Sequence, residues 1–136
     1  MREPREMIGI LQAFSGTYLL AAGIAMLAAF GLPLLIVPMQ WARLMRWEIP
    51  AAATLATFLG RSLGVFLCVF AAYAIKAAFT PAAQLFFFEL MLWLLVAMLG
   101  LHVYGALRKT QPITETIEIA LWIVLILATL AFWPSA

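Results

Sequence analysis

The single histidine of this 136-residue chain, His102, stands near two glutamates that follow it across a short polar segment. His102 and Glu118 are equally far along the chain from Thr110, the centre of that segment. Two helices joined by a tight turn run antiparallel, so these side chains are predicted to lie at similar depth. Glu115 lies one helical turn before Glu118 and therefore on the same helix face. A histidine beside carboxylates relays protons or binds a metal ion.

The sequence leaves the role of this group open. Proton or ligand handling would use His102, whose charge changes near neutral pH. Structural pairing is the alternative, because Glu115 and Glu118 lie in the first two turns of a predicted helix, where negative charge suits the helix dipole. One histidine with two glutamates is a weak metal motif, so no metal site is predicted.

Arg61 is the most unusual charged residue, because it lies deep in an apolar stretch. It is eleven positions into that stretch, which corresponds to about 15 Å of helix. Thr54, Thr57 and Gly64 are polar or small and share its helix face, which predicts that this face is buried against protein. In one interpretation Arg61 holds an anionic group or gates a proton path. In the other it pairs with a carboxylate and locks the helices together.

Glu89 is a second charge at membrane depth, and it directly follows three phenylalanines. It lies seven or eight positions into its apolar stretch. An unpaired carboxylate at that depth favours its protonated form, which makes Glu89 a candidate proton carrier. Pairing with Arg61 is the alternative, because the two predicted depths differ by only a few ångströms.

Four apolar stretches must position these residues, and each is long enough for a helix that crosses a membrane. About 20 mostly apolar residues cross about 30 Å of hydrocarbon. The sequence therefore predicts an all-α fold, an integral membrane bundle of four antiparallel helices with a short interfacial helix between the first two. The predicted helices cover residues 8–32, 51–75, 82–107 and 113–132, and the interfacial helix covers residues 39–48.

The composition agrees with this class of protein. Hydrophobic residues make up 67% of the chain and charged residues 10%, whereas a soluble domain is about half apolar and about a quarter charged. The eight basic residues are scattered, so no nucleic-acid surface is predicted. The first apolar run is too long for a cleaved signal peptide, which predicts a retained anchor in a plasma or inner membrane.

Lysine and arginine are almost evenly divided between the two predicted membrane sides. The side of the termini carries Arg2, Arg5 and Lys76, and the opposite side carries Arg43, Arg46, Arg108 and Lys109. The positive-inside rule then favours outside termini by a single residue.

Glycines indicate how the helices pack. Gly9, Gly16 and Gly23 repeat every seven residues in the first stretch, which predicts a smooth stripe facing one neighbouring helix. Gly60 and Gly64 form a G-x-x-x-G motif, which lets two helices approach closely. That second contact lies either within the chain or between two copies.

No nucleophile constellation, phosphate-binding loop or second histidine for haem is recognisable, so no catalytic residue or cofactor is predicted. The leading expectation is an accessory or structural subunit, or a binding module, that assembles with other membrane proteins or with itself. One alternative is a small oligomeric transporter or channel for protons, ions or an anionic solute, using Arg61, Glu89 and Glu118. Another is an intramembrane enzyme or a binder of lipid, quinone or pigment.

Overall fold

The computed structural model describes residues 8–135, and every regular element in that range is helical. Four helices are long and apolar enough to cross a membrane, which confirms the predicted fold class at this level. The helices are α1, Gln12–Ile36; α2, Pro38–Leu44; α3, Thr54–Ala78; α4, Pro81–Arg108; and α5, Ile113–Ala131. Arg2 and Arg5, on which the predicted orientation depends, lie outside the described residues.

Helix α1 continues past Pro33 to Ile36, whereas the sequence predicted its end near residue 32. A proline inside an α-helix clashes with the carbonyl four residues earlier and cannot donate to it. Here the helix widens into a π turn over Leu27–Gly31 immediately before the proline. The wider turn accommodates the ring, so α1 does not stop.

The carbonyl of Ala29, four residues before Pro33, has lost its usual α-helical donor. Trp41 on α2 replaces it, because its Nε1–H donates to the Ala29 oxygen at 2.8 Å. The Trp41 ring also lies 5.6 Å from the ring of Phe30. These contacts hold α2 against the C-terminal part of α1.

Helix α1 begins at Gln12 rather than near residue 8, and the bounds of α3, α4 and α5 differ from the predicted ones by at most three residues. Helix α2 ends at Leu44 rather than near residue 48, because Arg46 has a φ of 63°. A residue in the left-handed region cannot continue a right-handed helix. Lys109, with a φ of 54°, ends α4 in the same way.

Small residues bring α1 and α3 into close contact. A Cβ added at Gly16 would lie 2.7 Å from the carbonyl oxygen of Ala78, and one added at Gly23 would lie 3.0 Å from that of Ala71. Two members of the predicted stripe therefore face α3. Gly9 does not, because it precedes α1 in a turn with a φ of 75° and donates its N–H to Leu130.

The G-x-x-x-G motif packs within the chain. A Cβ at Gly60 would lie 2.7 Å from Cβ of Pro38, and one at Gly64 would overlap the backbone nitrogen of Leu35. Of the two contacts that the sequence left open, the intramolecular one is therefore present. It fixes which face of α3 is turned toward α1 and α2.

Candidate functional site

His102, Glu115 and Glu118 meet between the last turns of α4 and the first turns of α5. His102 Nε2 lies 2.9 Å from Glu115 Oε2 and 3.5 Å from Glu118 Oε2. The histidine side chain is 5% exposed, and the two glutamate side chains are 13% and 14% exposed. One ligand atom from each residue can be chosen so that all three lie within 4.8 Å of one another. We call this group the His–Glu–Glu cluster.

The backbone fixes which nitrogen of His102 carries a hydrogen. Nδ1 lies 2.8 Å from the carbonyl oxygen of Met98. A carbonyl oxygen only accepts, so Nδ1 must be the donor. In a neutral imidazole, Nε2 would then turn its lone pair toward the oxygens of Glu115 and Glu118. These contacts are attractive only if a proton or a metal ion lies between the nitrogen and the carboxylates.

A second set of contacts holds Glu115 in position. Its other oxygen, Oε1, accepts a hydrogen bond from Trp47 Nε1 at 2.8 Å. Thr114, the preceding residue, donates its hydroxyl to the carbonyl of Met45. The segment after α2 is thereby tied to the start of α5. Sequence spacing could not reveal this role of Trp47, because 68 residues separate it from its partner.

Gln111 supports the cluster from the α4–α5 connection. Its Nε2 donates to the carbonyl of His102 at 3.0 Å and to the hydroxyl of Thr116 at 3.2 Å. The side chain folds over Gly105, where an added Cβ would overlap the amide oxygen of Gln111. This buried polar link was also missed, since a glutamine in a turn carries no distinguishing pattern.

Trp122 on α5 covers one side of His102, with ring centroids 5.2 Å apart. Its indole nitrogen is buried and has no hydrogen-bond partner among the described residues. The Trp122 ring therefore shields one side of the cluster, while the two glutamate side chains remain slightly exposed.

Arg61 lies on the outer surface of α3, so no other described helix of the chain covers the face that was predicted to be buried against protein. Gly60 and Gly64 occupy the contact face, and Arg61 follows Gly60 by one residue, or about 100° around the helix. Thr54 is exposed and Thr57 is half-buried. Because α3 begins at Thr54, Arg61 is about 10 Å along it rather than about 15 Å.

Glu89 is also exposed, and among the described residues it forms no ion pair with Arg61. Phe88, Met91 and Leu95 form the buried face of α4. Glu89 precedes Met91 by two residues, or about 200° around the helix, and therefore points away from the other helices. The two charges within the long apolar helices thus face outward on different helices.

An apolar groove runs between α3 and α4 on the outer surface. It has a volume of about 510 Å³. Its lining includes five aromatic rings and, at one end, the polar side chains of Lys76 and Thr80; the rings are those of Phe66, Phe70, Tyr73, Phe86 and Phe87. Such a groove suits an apolar chain or the side chains of another helix.

No family model matches this chain, and neither the curated proteins nor the solved structures contain a match. Its function must therefore be inferred from its own residues.

Proposed function

We propose that this chain is a small integral membrane subunit that acts by assembling with other transmembrane helices. The observation that carries the proposal is the outward position of Arg61 and Glu89 on membrane-length helices. In this proposal α1, α3, α4 and α5 cross a plasma or inner membrane as an antiparallel bundle. Helix α2 lies at the membrane surface.

Two features support this arrangement. Only residues 79 and 80 connect α3 to α4, and so short a connection favours neighbouring helices that run in opposite directions. On α2, Gln40 and Arg43 are exposed and Trp41 is half-buried. A short helix with one polar face and a tryptophan is typical of the interface between headgroups and acyl chains.

Charged side chains without a partner are costly in lipid. On an insertion scale, a charged residue at the centre of a membrane helix costs about 2.5–3.5 kcal/mol. The long Arg61 side chain relieves part of this cost by reaching toward the nearer surface. The short Glu89 side chain, about 12 Å from the start of α4, reaches much less far. A partner helix that supplies hydrogen bonds or an opposite charge removes the cost for both residues.

Gentle extraction followed by mass spectrometry of the intact assembly tests the proposal. We expect the wild type to leave the membrane as a stoichiometric complex. Arg61→Gln and Glu89→Gln should each lower the association constant of the complex about tenfold, which corresponds to about 1.4 kcal/mol. The matched controls are Arg108→Gln, at the last residue of α4, and Glu48→Gln, between α2 and α3; both alter exposed charges at or beyond the ends of the apolar spans and should leave assembly unchanged. A wild type that is monomeric in mild detergent and forms no cross-links in its membrane would contradict the proposal.

The groove between α3 and α4 favours a second candidate, a binder of lipid-like molecules. A monomer that carries one acyl or isoprenoid molecule through extraction would support that function. Phe66→Ala, which widens the groove, should then lower retention of the molecule. A transport path that gathers Arg61, Glu89 and Glu118 around one interior has no support in the single chain, because the first two side chains face outward.

A further inference from the structure

We propose that the His–Glu–Glu cluster is a binding site for a divalent first-row transition-metal ion. The donor set is one imidazole nitrogen and two carboxylates, which suits Zn²⁺, Mn²⁺ or Fe²⁺. This site is separate from the outward charges that carry the proposed assembly function.

The spacing of the donor atoms matches a shared ion. Zinc binds histidine nitrogen at about 2.0–2.1 Å and carboxylate oxygen at about 2.0–2.2 Å, which places neighbouring ligand atoms about 3–3.5 Å apart. From His102 Nε2, the oxygens of Glu115 and Glu118 lie at 2.9 and 3.5 Å. One donor atom from each residue can be chosen so that all three lie within 4.8 Å of one another, and we expect a rotation of a glutamate side chain to complete a three-ligand face.

Charge balance favours a divalent ion over a single proton. Two carboxylates and a neutral imidazole carry a net charge of −2, and one shared proton leaves −1 in a largely buried site. Among the described residues, no lysine or arginine lies within ion-pair distance of Glu115 or Glu118. A divalent ion neutralises the cluster completely, which removes the cost of an uncompensated charge in a medium of low polarity.

The surrounding hydrogen bonds are those of a prepared metal site. Ligand histidines usually donate their second ring N–H to a carbonyl or carboxylate, which fixes the tautomer and orients the ring. His102 does so through Nδ1 to Met98, and this leaves Nε2 free to bind an ion. Trp47 similarly holds the second oxygen of Glu115. The three protein ligands leave a coordination position for water or a ligand.

The test uses the full-length protein in detergent or nanodiscs, stripped of metal with a chelator and titrated with Zn²⁺ by calorimetry. We expect one ion per chain. His102→Asn and Glu118→Gln should weaken binding at least a hundredfold. Trp47→Phe, which leaves all three ligands in place, should weaken it about 10–100-fold. Glu48→Gln, an exposed glutamate outside the cluster, should bind like the wild type.

A second measurement guards against misfolded variants. Saturating Zn²⁺ should raise the thermal unfolding temperature of the wild type and of Glu48→Gln but not that of Glu118→Gln. Mn²⁺, followed by electron paramagnetic resonance, should compete for the same site. A wild type without saturable binding, or variants of His102 and Glu118 that bind as tightly as the wild type, would overturn the proposal and leave a cluster held by a proton alone.

A different observation concerns the partner, and this second inference rests on the proposed assembly function. We infer that the partner is a second copy of the chain inserted in the opposite orientation. Arg61 lies about 10 Å from the start of α3, and Glu89 lies about 12 Å from the start of α4. In an antiparallel bundle these helices start at opposite membrane surfaces. The two charges therefore lie at nearly equal depths, each measured from a different surface.

Charge complementarity then selects the orientation of the second copy. In a copy with the same orientation, Arg61 and Glu89 would be separated by about 15 Å along the membrane normal. In an inverted copy they come level, and two such pairs form by symmetry. Lysine and arginine are almost evenly divided between the two sides, so neither orientation is strongly favoured. Copies of the chain can therefore insert in both orientations.

Cross-linking between two differently tagged copies tests this inference. In a Cys68→Ala background, Arg61→Cys on one copy and Glu89→Cys on the other should form a disulfide, and Arg61→Cys paired with Arg108→Cys should not. The double variant Arg61→Glu/Glu89→Arg should restore assembly that each single change abolishes. Assembly without the 61–89 cross-link would overturn the inverted copy and leave the assembly function intact. A chain that does not assemble at all would overturn both.

Discussion

At the scale of single residues, the absence of a side chain decides how closely two helices pack. Gly64 touches the backbone of α1, whereas Gly100 on α4 has no atom within 4 Å of the position that a Cβ would occupy. The two glycines therefore have different structural roles, although both stand inside long helices. Backbone contact at Gly64 leaves no flexible atom that can move aside.

The substitution of each glycine by alanine separates these roles. Gly64→Ala should lower the free energy of unfolding by about 1–3 kcal/mol, because the new methyl group forces the backbones of α1 and α3 apart. Gly100→Ala should be neutral or stabilise the fold by up to about 1 kcal/mol, because alanine favours helix. Reversible unfolding in mixed detergent, followed by circular dichroism, measures both. Equal changes of unfolding free energy in Gly64→Ala and Gly100→Ala would contradict the backbone contact assigned to Gly64.

At the scale of elements, α1 accommodates a proline by transferring a hydrogen bond to another helix. The π turn before Pro33 and the indole of Trp41 act together, because the turn accommodates the ring and the indole pairs with the carbonyl of Ala29. The segment that joins α1 to α3 is therefore anchored at two places: Trp41 donates a hydrogen bond to Ala29 of α1, and Trp47 donates one to Glu115 of α5.

A double-mutant cycle tests whether Trp41 and Pro33 are energetically coupled. Trp41→Phe should cost about 1–3 kcal/mol of unfolding free energy, because it leaves a carbonyl without its donor. Adding Pro33→Ala supplies a backbone N–H that can bond to Ala29, so the double variant should lose less than the sum of the single changes. Trp93→Phe, which changes an exposed tryptophan with no hydrogen bond among the described residues, is the control. If the losses of unfolding free energy from Trp41→Phe and Pro33→Ala simply added, the idea that the Trp41 indole replaces a missing backbone donor at Ala29 would be contradicted.

These elements also show what the sequence could and could not predict. Long apolar runs bounded by prolines predicted four helices, three of them within three residues at each end, because both signals act locally. The outward position of Arg61 within the chain could not be predicted, because the rotation of α3 depends on a contact between Gly64 and Leu35 that joins two helices. The bond between Trp47 and Glu115 has no local signature either.

At the scale of the whole molecule, the near balance of positive charge makes orientation sensitive to single residues. Phe79 and Thr110 are both exposed, and they lie in connections at opposite ends of α4. In the proposed membrane arrangement, a lysine at either position adds one positive charge to one side of the membrane. Neither change alters an apolar span.

Orientation should therefore respond in opposite directions to these two substitutions. Phe79→Lys should increase the fraction of chains whose termini lie in the cytoplasm, and Thr110→Lys should decrease it, since the basic side is retained inside. Reporter fusions at the C-terminus, active on one side of the membrane only, measure the two fractions. Phe79→Gln and Thr110→Gln control for the loss of the native side chains. If neither lysine changed the fraction of chains with cytoplasmic termini, the idea that orientation depends on a near balance of positive charge would be contradicted.

The ring of Trp122, packed beside His102, has an optical consequence. An indole loses fluorescence when a positive charge or a transition ion with unpaired electrons arrives within a few ångströms, and its emission moves when the local field changes. The chain therefore contains its own reporter, 5.2 Å from the imidazole. Occupancy of the cluster can be followed in real time and in an intact membrane, as the part of the emission that Trp122→Phe removes.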